Sequence, residues 1–139
     1  MSKYFIDASV WIAFIVEADS LHQKAQHLLK KTLNSNTQIL TSDYVLDETL
    51  TRIKRKKDGQ ASKEFLSGIF DQKTQVIFTS KILFKKTITF FNKHPQSKSF
   101  SFTDASILAT MKHHKIKNLL TFDRDLQSIA KKHKITTIC

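Results

Sequence analysis

Near its start the chain reads KYFID at residues 3–7, an apolar run that stops at an acid. Short apolar runs recur along the chain as QIL (38–40), QVIF (75–78), NLLTF (118–122) and ITTI (135–138). Longer segments with apolar residues three or four positions apart separate them, which is the period of an amphipathic helix. Because parallel strands need helical crossovers, this alternation predicts a three-layer α/β/α sandwich with a five-stranded, mainly parallel sheet.

Six segments carry apolar stripes at helical spacing, and we expect each stripe to face the sheet. These segments are 21–29, 46–53, 65–70, 84–91, 107–111 and 126–133. Most of the eleven phenylalanines fall on the stripes or on the strands, so we expect most of them in the core.

The composition favours one domain that spans residues 1–139. At this length a hydrophobic content of 40% is enough to fill a single core. With two glycines and one proline, the chain has no phosphate-binding glycine loop and no dinucleotide fingerprint. The one cysteine, Cys139, excludes a disulfide framework and a cysteine-containing zinc cluster.

The net charge is strongly positive, +11 from 23 Lys and Arg against 12 Asp and Glu. This excess favours a polyanionic partner, with nucleic acid ahead of a membrane surface; the alternative is that the charge serves solubility alone. The apolar stretch 8–16 is bracketed by acids and is too short to cross a bilayer, which takes about 20 residues. We therefore expect a cytoplasmic protein that does not enter a membrane.

Three acids lie at or near the carboxyl ends of predicted strands, where open parallel sheets bind ligands. Asp7 directly follows the first strand, and Asp123 and Asp125 follow the fourth. For each of them taken alone, a helix N-cap is the favoured explanation, since a capping carboxylate accepts backbone N–H bonds.

Further acids lie on predicted helices. Asp104 shares a face with the apolar stripe that follows it, where an unpaired charge is costly; the alternative is a capping box with Ser101. Asp47 and Glu48 flank an apolar stripe on opposite sides, and periodicity does not choose between them or exclude a solvated helix charge. Asp43 lies in a first helical turn, so we expect a structural role for it.

Together the acids predict a metal site at one edge of the sheet. Clustered carboxylates repel one another unless a cation lies among them. Oxygen ligands without paired Cys or His spacing favour a hard cation, Mg²⁺ or Mn²⁺, over zinc. A metal site within a basic surface favours phosphodiester chemistry, in which the ion polarises the phosphate and lysines hold the backbone.

Four segments resemble, in order and spacing, the motifs of the PIN-domain ribonucleases. They are FIDASVWIA (5–13), SDYVLDETL (42–50), FTDASILAT (102–110) and LLTFDRDL (119–126). Each motif alone is short, whereas four in the right order on an alternating α/β chain are specific. The resemblance covers essentially the whole chain, and its size is most like that of the VapC toxins of bacterial and archaeal toxin–antitoxin pairs.

The resemblance implies a single PIN-like nuclease domain over residues 1–139. Its four catalytic acids fall on Asp7, Glu48, Asp104 and Asp123, so the resemblance selects Glu48 rather than Asp47. Its Mg²⁺ or Mn²⁺ ligands fall on Asp7, Asp104 and Asp123, with Asp125 as an auxiliary ligand. Ser9 and Thr121 match small polar residues in supporting positions. The resemblance also implies an RNA substrate, a homodimer and a small antitoxin that occupies the groove. The basic run 52–57 goes beyond the motif, and it either binds RNA or ends a solvated helix.

Two other classes of protein remain as alternatives. A receiver-type phosphoacceptor domain also has acids and Mg²⁺ at its strand ends, but it needs an acid pair after the first strand and a lysine where Asp123 stands. A non-catalytic RNA-binding module would use only the basic surface. It leaves the placement of the acids unexplained, and the chain lacks the interleaved aromatic platform of a recognition motif.

Overall fold

The structure is a computed structural model, and it describes residues 1–71 and 73–139. Within them the chain forms five strands and seven helices. The strands are β1 (Ser2–Ile6), β2 (Thr37–Ser42), β3 (Gln75–Ile77), β4 (Asn118–Leu120) and β5 (Thr136–Ile138). The helices are α1 (Ala8–Ile15), α2 (His22–Thr32), α3 (Asp43–Lys56), α4 (Gly59–Asp71), α5 (Lys81–Asn92), α6 (Phe102–His113) and α7 (Arg124–Lys132).

The strands form one sheet in the order β3-β2-β1-β4-β5, and every neighbouring pair is parallel. The predicted five-stranded α/β architecture is therefore confirmed. Tyr4 of the central strand pairs with Ile39 of β2 on one side and with Asn118 of β4 on the other. The chain builds outward from β1 to β3 and then crosses to β4, so the carboxyl ends of β1 and β4 flank a topological switch point, where such sheets bind ligands.

The core is centred on β1 and β4. Phe5, Ile6, Leu119 and Leu120 have no exposed surface, as expected for strands covered by helices on both faces. Burying each such side chain contributes roughly 1.5–3 kcal/mol. The middle of the sheet is thus a rigid base for the loops that follow these two strands.

Helix α1 is the element that the periodicity of the sequence misses. Nearly all of its eight residues are apolar, and five of them are buried, so no polar face marks a helical period. The helix begins where Asp7 caps it, one residue after β1. Within the described ranges, no helix is long and apolar enough to cross a membrane.

The stripe predicted at 84–91 does not face the core. Leu83 and Thr87 of α5 are 2% and 1% exposed, whereas Phe84, Ile88 and Phe91 are 40–42% exposed. The expectation that most phenylalanines lie in the core holds only in part: among the described residues three are buried in it and three more pack against it from partly buried positions, namely Phe5, Phe65 and Phe100, and Phe14, Phe90 and Phe122. Periodicity alone selects the more apolar face of α5, whereas the buried residues of the helix, Leu83 and Thr87, lie on the adjacent one.

Candidate active site

The loops after β1 and β4 meet at the carboxyl edge of the sheet. The backbone N–H of Asp7 donates to the carbonyl oxygen of Leu120 at 3.0 Å, which continues the pairing of the two strands by one step. Asp7 and the segment 121–123 are therefore held side by side, although more than a hundred residues separate them in the sequence.

The carboxylate of Asp7 is 5% exposed and is held by three donors. The backbone N–H of Ala8 donates to Oδ1 at 2.7 Å, and the hydroxyls of Ser9 and Thr121 donate to Oδ2 at 2.9 and 2.8 Å. Burial raises the pKa of Asp7 above its ordinary value, and these hydrogen bonds oppose the rise. Asp7 is thus both the N-cap of α1 and a buried, fixed acid.

Ser9 and Thr121 connect this acid to the loop after β4. The backbone N–H of Phe122 donates to Ser9 Oγ at 3.0 Å, and that of Asp123 donates to Thr121 Oγ1 at 3.1 Å. Each hydroxyl thus donates its hydrogen to Asp7 and accepts a backbone N–H. The two hydroxyls fix the position of Asp123 relative to Asp7.

Asp104 lies in the first turn of α6 and is 7% exposed. The alternative weighed for it, a capping box, is present: Ser101 N–H donates to Asp104 Oδ2 at 3.1 Å, and Asp104 N–H donates to Ser101 Oγ at 3.0 Å. The cap does not use Oδ1 of Asp104. Burial raises the pKa of Asp104 to about 7, and the charges of Asp7 and Asp123 add to the rise. One carboxylate therefore caps the helix and belongs to the acidic cluster.

Glu48 is partly buried on α3, whereas its neighbour Asp47 is exposed. Arg52, one turn further along, donates from Nη1 to Glu48 Oε1 at 3.3 Å. Burial raises the pKa of Glu48, the charges of Asp7 and Asp123 raise it further, and Arg52 opposes them. Glu48 thus shares an electrostatic environment with acids from β1 and β4.

Asp123 is the N-cap of α7, and its Oδ1 accepts the backbone N–H groups of Asp125 and Leu126 at 2.9 and 3.1 Å. Its charge raises the pKa of Asp7, of Glu48 and of Asp104. Asp125 is exposed and borders a separate small cavity. The structure thus brings Asp7, Glu48, Asp104 and Asp123 together and leaves the auxiliary candidate Asp125 outside the group.

The donor set of this cluster fits a hard divalent cation. The charge of Asp123 opposes ionisation of Asp7, Glu48 and Asp104. The ion pair of Glu48 with Arg52 is the one pair with a cation that the four acids form among the described residues. No three Asp, Glu, His or Cys side chains in residues 1–71 and 73–139 stand close enough to form a ready-made cage. That spacing fits Mg²⁺, which keeps several waters and takes one or two carboxylates directly, better than a closed zinc site.

The ion pair of Arg52 with Glu48 is a feature of the site that the sequence alone does not predict. Arg52 belongs to a basic run whose role was open, and only its spacing of four residues from Glu48 signals the ion pair. Two other members of the run, Lys56 and Lys57, pair with Asp19 and Glu17. The run 52–57 is therefore partly a set of helix-to-loop contacts.

Asp43 has the structural role expected for it. Its Oδ2 accepts the backbone N–H of Thr79 at 3.0 Å, and its Oδ1 accepts the Thr79 hydroxyl at 2.7 Å. These bonds fasten the start of α3 to the loop after β3, so they fix the edge of the sheet beside the acidic cluster.

Acids at the carboxyl edge of this five-stranded parallel sheet define an α/β protein with a PIN-like site. The chain belongs to the PIN domain family, whose model matches residues 4–132. The resemblance to PIN-domain ribonucleases of the VapC type is thereby confirmed.

Curated relatives carry VapC names. The 23S rRNA-specific endonuclease VapC20 of Mycobacterium tuberculosis is 26% identical over 124 residues, which cover 89% of this chain and 92% of that protein. A VapC ribonuclease of Archaeoglobus fulgidus is 26% identical over 120 residues, covering 85% of this chain and 75% of its own length.

Solved structures agree on the fold. The crystal structure of M. tuberculosis VapC20, described as a sarcin-ricin loop cleaving toxin, has a TM-score of 0.81 and 25% identity and covers 90% of this chain and 93% of its own. The structure of VapBC2 from Rickettsia felis, bound to a promoter DNA fragment, has a TM-score of 0.69 and 17% identity and covers 98% of this chain and 97% of the matched chain.

Proposed function

We propose that this protein is a divalent-metal-dependent endoribonuclease that acts as the toxin of a toxin–antitoxin pair. The observation that carries the proposal is the grouping of four acids at the carboxyl edge of the sheet: burial raises the pKa values of Glu48 and Asp104, and the charges of Asp7 and Asp123 raise them further. A group of carboxylates that is unfavourable by itself gains most from a bound cation.

In the proposed site Asp7, Asp104 and Asp123 would hold Mg²⁺ or Mn²⁺, one or two of them directly and the rest through bound water. The ion supplies polarisation of the scissile phosphate and a lowered pKa of the attacking water. Asp125, which is exposed, is left to an outer position through water. The bonds of Ser9 and Thr121 to Asp7 and to the segment 122–123 keep two of the ligands at a fixed separation.

Glu48 is the proposed proton acceptor. Arg52 donates to Oε1, so Oε2 is left to take a proton from the attacking water. A carboxylate whose pKa is raised towards neutrality is a better general base than an ordinary surface glutamate. Arg52 holds the side chain in place and opposes further elevation of its pKa.

Adjacent residues provide a matched test. Glu48→Gln removes a partly buried acid of the cluster, and Asp47→Asn removes the exposed acid beside it with the same change in net charge. Cleavage of a transcribed ribosomal RNA fragment should require added Mg²⁺ or Mn²⁺ and stop with EDTA. Glu48→Gln should slow it by about 100-fold or more, in the range of lost general base catalysis, while Asp47→Asn stays near the wild-type rate. Equal rates in EDTA and Mg²⁺ would contradict the metal assignment.

The proposed substrate is a structured RNA with an accessible loop. The VapC20 relative is named for 23S rRNA, and the alignment with it spans most of both chains. Sequence-specific recognition of RNA relies mainly on unstacked bases in loops, which a site at the open edge of a sheet can accept.

An antitoxin is the proposed regulatory partner, because VapBC pairs are among the proteins with this fold. A groove of about 1000 Å³ lies between α1, α2 and α4 and is lined by apolar residues that include Trp11, Phe14, Leu29, Leu33, Phe65 and Ile69. Such a groove fits the apolar face of an amphipathic helix. Because Asp7 caps the α1 helix that lines this groove, we propose that a basic residue beyond the bound helix of the antitoxin extends to the acids and takes the place of the cation.

Expression in cells tests this regulation. The protein alone should arrest growth, and co-expression of the neighbouring gene should restore it. Leu33→Glu, at a position 46% exposed and therefore tolerant of charge, should abolish rescue while RNA cleavage in vitro is unchanged. If co-expression still restores growth with Leu33→Glu, the antitoxin does not bind in this groove.

A homodimer is the remaining part of the proposal, and α5 provides the surface. Phe78 and four side chains of α5 (Ile82, Phe84, Ile88 and Phe91) are 40–65% exposed. Phe84 and Phe91 both pack against Phe102, with ring centroids 5.4 and 5.6 Å apart, so the apolar surface continues to the start of α6. An exposed apolar area of this kind marks a protein interface.

A further inference from the structure

Two basic segments lie at the end of the sheet opposite the acids. KHHKIK (112–117) joins α6 to β4, and KKHK (131–134) joins α7 to β5. The side-chain amide of Asn118 donates to the carbonyl oxygen of Lys3 at 3.2 Å, so β1 brings a further lysine to this edge. We call Lys3, Lys112, Lys115, Lys117, Lys132 and Lys134 the basic edge.

Two of these lysines occupy backbone positions that favour glycine. Lys115 and Lys134 have φ of 55° and 61°, in the left-handed region that side chains disfavour. Both follow a helix end of the same geometry, in which Ile116 N–H donates to Met111 O at 2.8 Å and Ile135 N–H donates to Ala130 O at 3.1 Å. Glycine or asparagine would fold there at lower cost. A lysine at both positions therefore points to a use for the charge.

The cations of this region are crowded. Lys86 Nζ donates a hydrogen bond of 2.9 Å to Nδ1 of His113, and the His113 ring meets that of His114 edge-on with centroids 5.0 Å apart. Burial lowers the pKa of His114, and the positive charges of His113 and Lys3 lower it further. Burial also lowers the pKa of His133, as do the charges of His94, Lys93, Lys112 and Lys132.

Carboxylates do not compensate this charge. No Asp or Glu occurs in residues 105–122 or 126–139. The three ion pairs found in the described part of the chain all lie elsewhere, on Glu48, Asp19 and Glu17. Like charges that approach one another without a counter-charge favour binding of a polyanion.

We propose that the basic edge is a second RNA-binding surface, which holds the phosphate backbone of the substrate at a distance from the bond that is cut. This proposal rests on the proposed ribonuclease function, and it states which surface of the protein binds a structured RNA. Lys3 lies four residues before Asp7 on β1, roughly 13 Å away at ~3.3 Å per residue. A short oligonucleotide at the acids does not reach this edge, whereas a folded RNA does.

A charge-matched pair of variants tests the proposal. Lys112→Gln/Lys115→Asn/Lys134→Asn removes three charges from the basic edge, and asparagine suits the left-handed backbone at 115 and 134. Lys30→Gln/Lys31→Gln/Lys63→Gln removes three charges from exposed positions on α2 and α4. Both variants have the same net charge, so any effect of net charge alone is equal in the two.

Binding to a transcribed ribosomal RNA fragment is measured with proteins that also carry Asp7→Asn, so that the RNA is not cut. Cleavage is measured with Asp7 intact, on the same fragment and on a short oligonucleotide. The basic-edge variant should bind the fragment about tenfold or more weakly at physiological salt, with a log–log salt slope reduced by about 2 to 3. Its KM for the fragment should rise at unchanged kcat, and cleavage of the oligonucleotide should not change. The α2/α4 variant should stay within about twofold of the wild type in each assay, as for charges that contact no phosphate.

Equal losses in the two variants, or none in either, would overturn the proposal. So would a basic-edge variant that loses affinity for the protein encoded beside it while its RNA affinity is unchanged, since the edge would then bind a protein. Failure of the wild type to cleave either RNA would contradict the ribonuclease function, while the binding comparison would still decide the role of the basic edge.

Discussion

Thr121 Oγ1 donates a hydrogen bond of 2.8 Å to Oδ2 of Asp7, across 114 positions of the sequence. The threonine has no exposed surface, and the same hydroxyl accepts the backbone N–H of Asp123. One atom thus joins the acid after β1 to the acid after β4. Preorganisation of this kind keeps reacting groups in position without cost at the moment of reaction.

Thr121→Val tests this relationship, because it keeps the shape of the side chain and removes the hydroxyl. Asp7 loses a donor and Asp123 N–H loses its acceptor, so we expect a loss of about 1–3 kcal/mol in the free energy of unfolding. Displacement of the acids should lower kcat by about 10- to 100-fold, as for loss of residues that orient metal ligands. Urea denaturation and a cleavage assay measure the two effects.

The control is Thr87→Val on α5. Thr87 is 1% exposed and its hydroxyl donates to Leu83 O at 2.8 Å, so it is a buried threonine whose hydroxyl bonds to its own helix and to none of the acids. It should cost stability with little change in kcat. Equal losses of activity in both variants would show that Thr121 acts through general stability alone.

Asp7→Asn separates the catalytic charge from the fold. The amide keeps the shape, and its one oxygen still accepts part of the hydrogen bonds made to Asp7, but the charge that holds the cation is lost. Circular dichroism should show an intact fold, with an unfolding temperature in EDTA close to that of the wild type, since removal of a costly buried charge offsets the lost acceptor. RNA cleavage should fall below detection; wild-type cleavage in Mg²⁺ by this variant would rule out Asp7 as a ligand.

The pKa of Asp104 predicts how stability depends on pH. Its value in the folded protein, about 7, lies above the ordinary 3.8, so the native state holds a proton that the unfolded state releases between these values. In EDTA the contribution of Asp104 to the free energy of unfolding should therefore be largest at pH 4 and below. It should decrease as the pH rises from 4 through about 7. Mg²⁺ at pH 8 should recover part of the loss by binding the ionised cluster.

Asp104→Asn should remove much of this pH dependence while its side-chain oxygen still accepts Ser101 N–H. Urea denaturation at several pH values, with Asp47→Asn as the control, measures it. The same pH dependence in the wild type and in Asp104→Asn would contradict a buried, protonated Asp104.

The sequence predicts the sheet well because its signals are local. Each apolar run overlaps one of the observed strands, and acids lie in the loops just after β1 and β4. The α1 helix is hidden because almost all of its residues are apolar, and the outward face of α5 is misassigned because an interface stripe has the same period as a core stripe. Both failures arise where burial depends on neighbours that are distant in the sequence.

The candidate site shows the same division. The positions of Asp7 and Asp123 follow from strand ends, whereas the choice of Glu48 over Asp47 rested on the resemblance. The contacts that couple the acids, such as Thr121 to Asp7, join residues on different strands and have no local pattern. For Asp104 the capping box and the acidic cluster are compatible, since the cap uses Oδ2 and the charges of Asp7 and Asp123 still act on the same carboxyl group.

Ile82→Glu tests the proposed dimer. Ile82 is 61% exposed on α5, so a charge there should cost the folded monomer less than about 0.5 kcal/mol, as for ordinary surface positions. In a dimer that buries this face, the same charge would lose its water and face its own copy across the axis. We expect sedimentation equilibrium to give a dimer for the wild type and a monomer for Ile82→Glu, at unchanged circular dichroism. Phe70→Glu, at a position 59% exposed on α4, is the matched control and should leave the dimer intact. A dimer that survives Ile82→Glu but is lost in Phe70→Glu would place the interface on α4 instead.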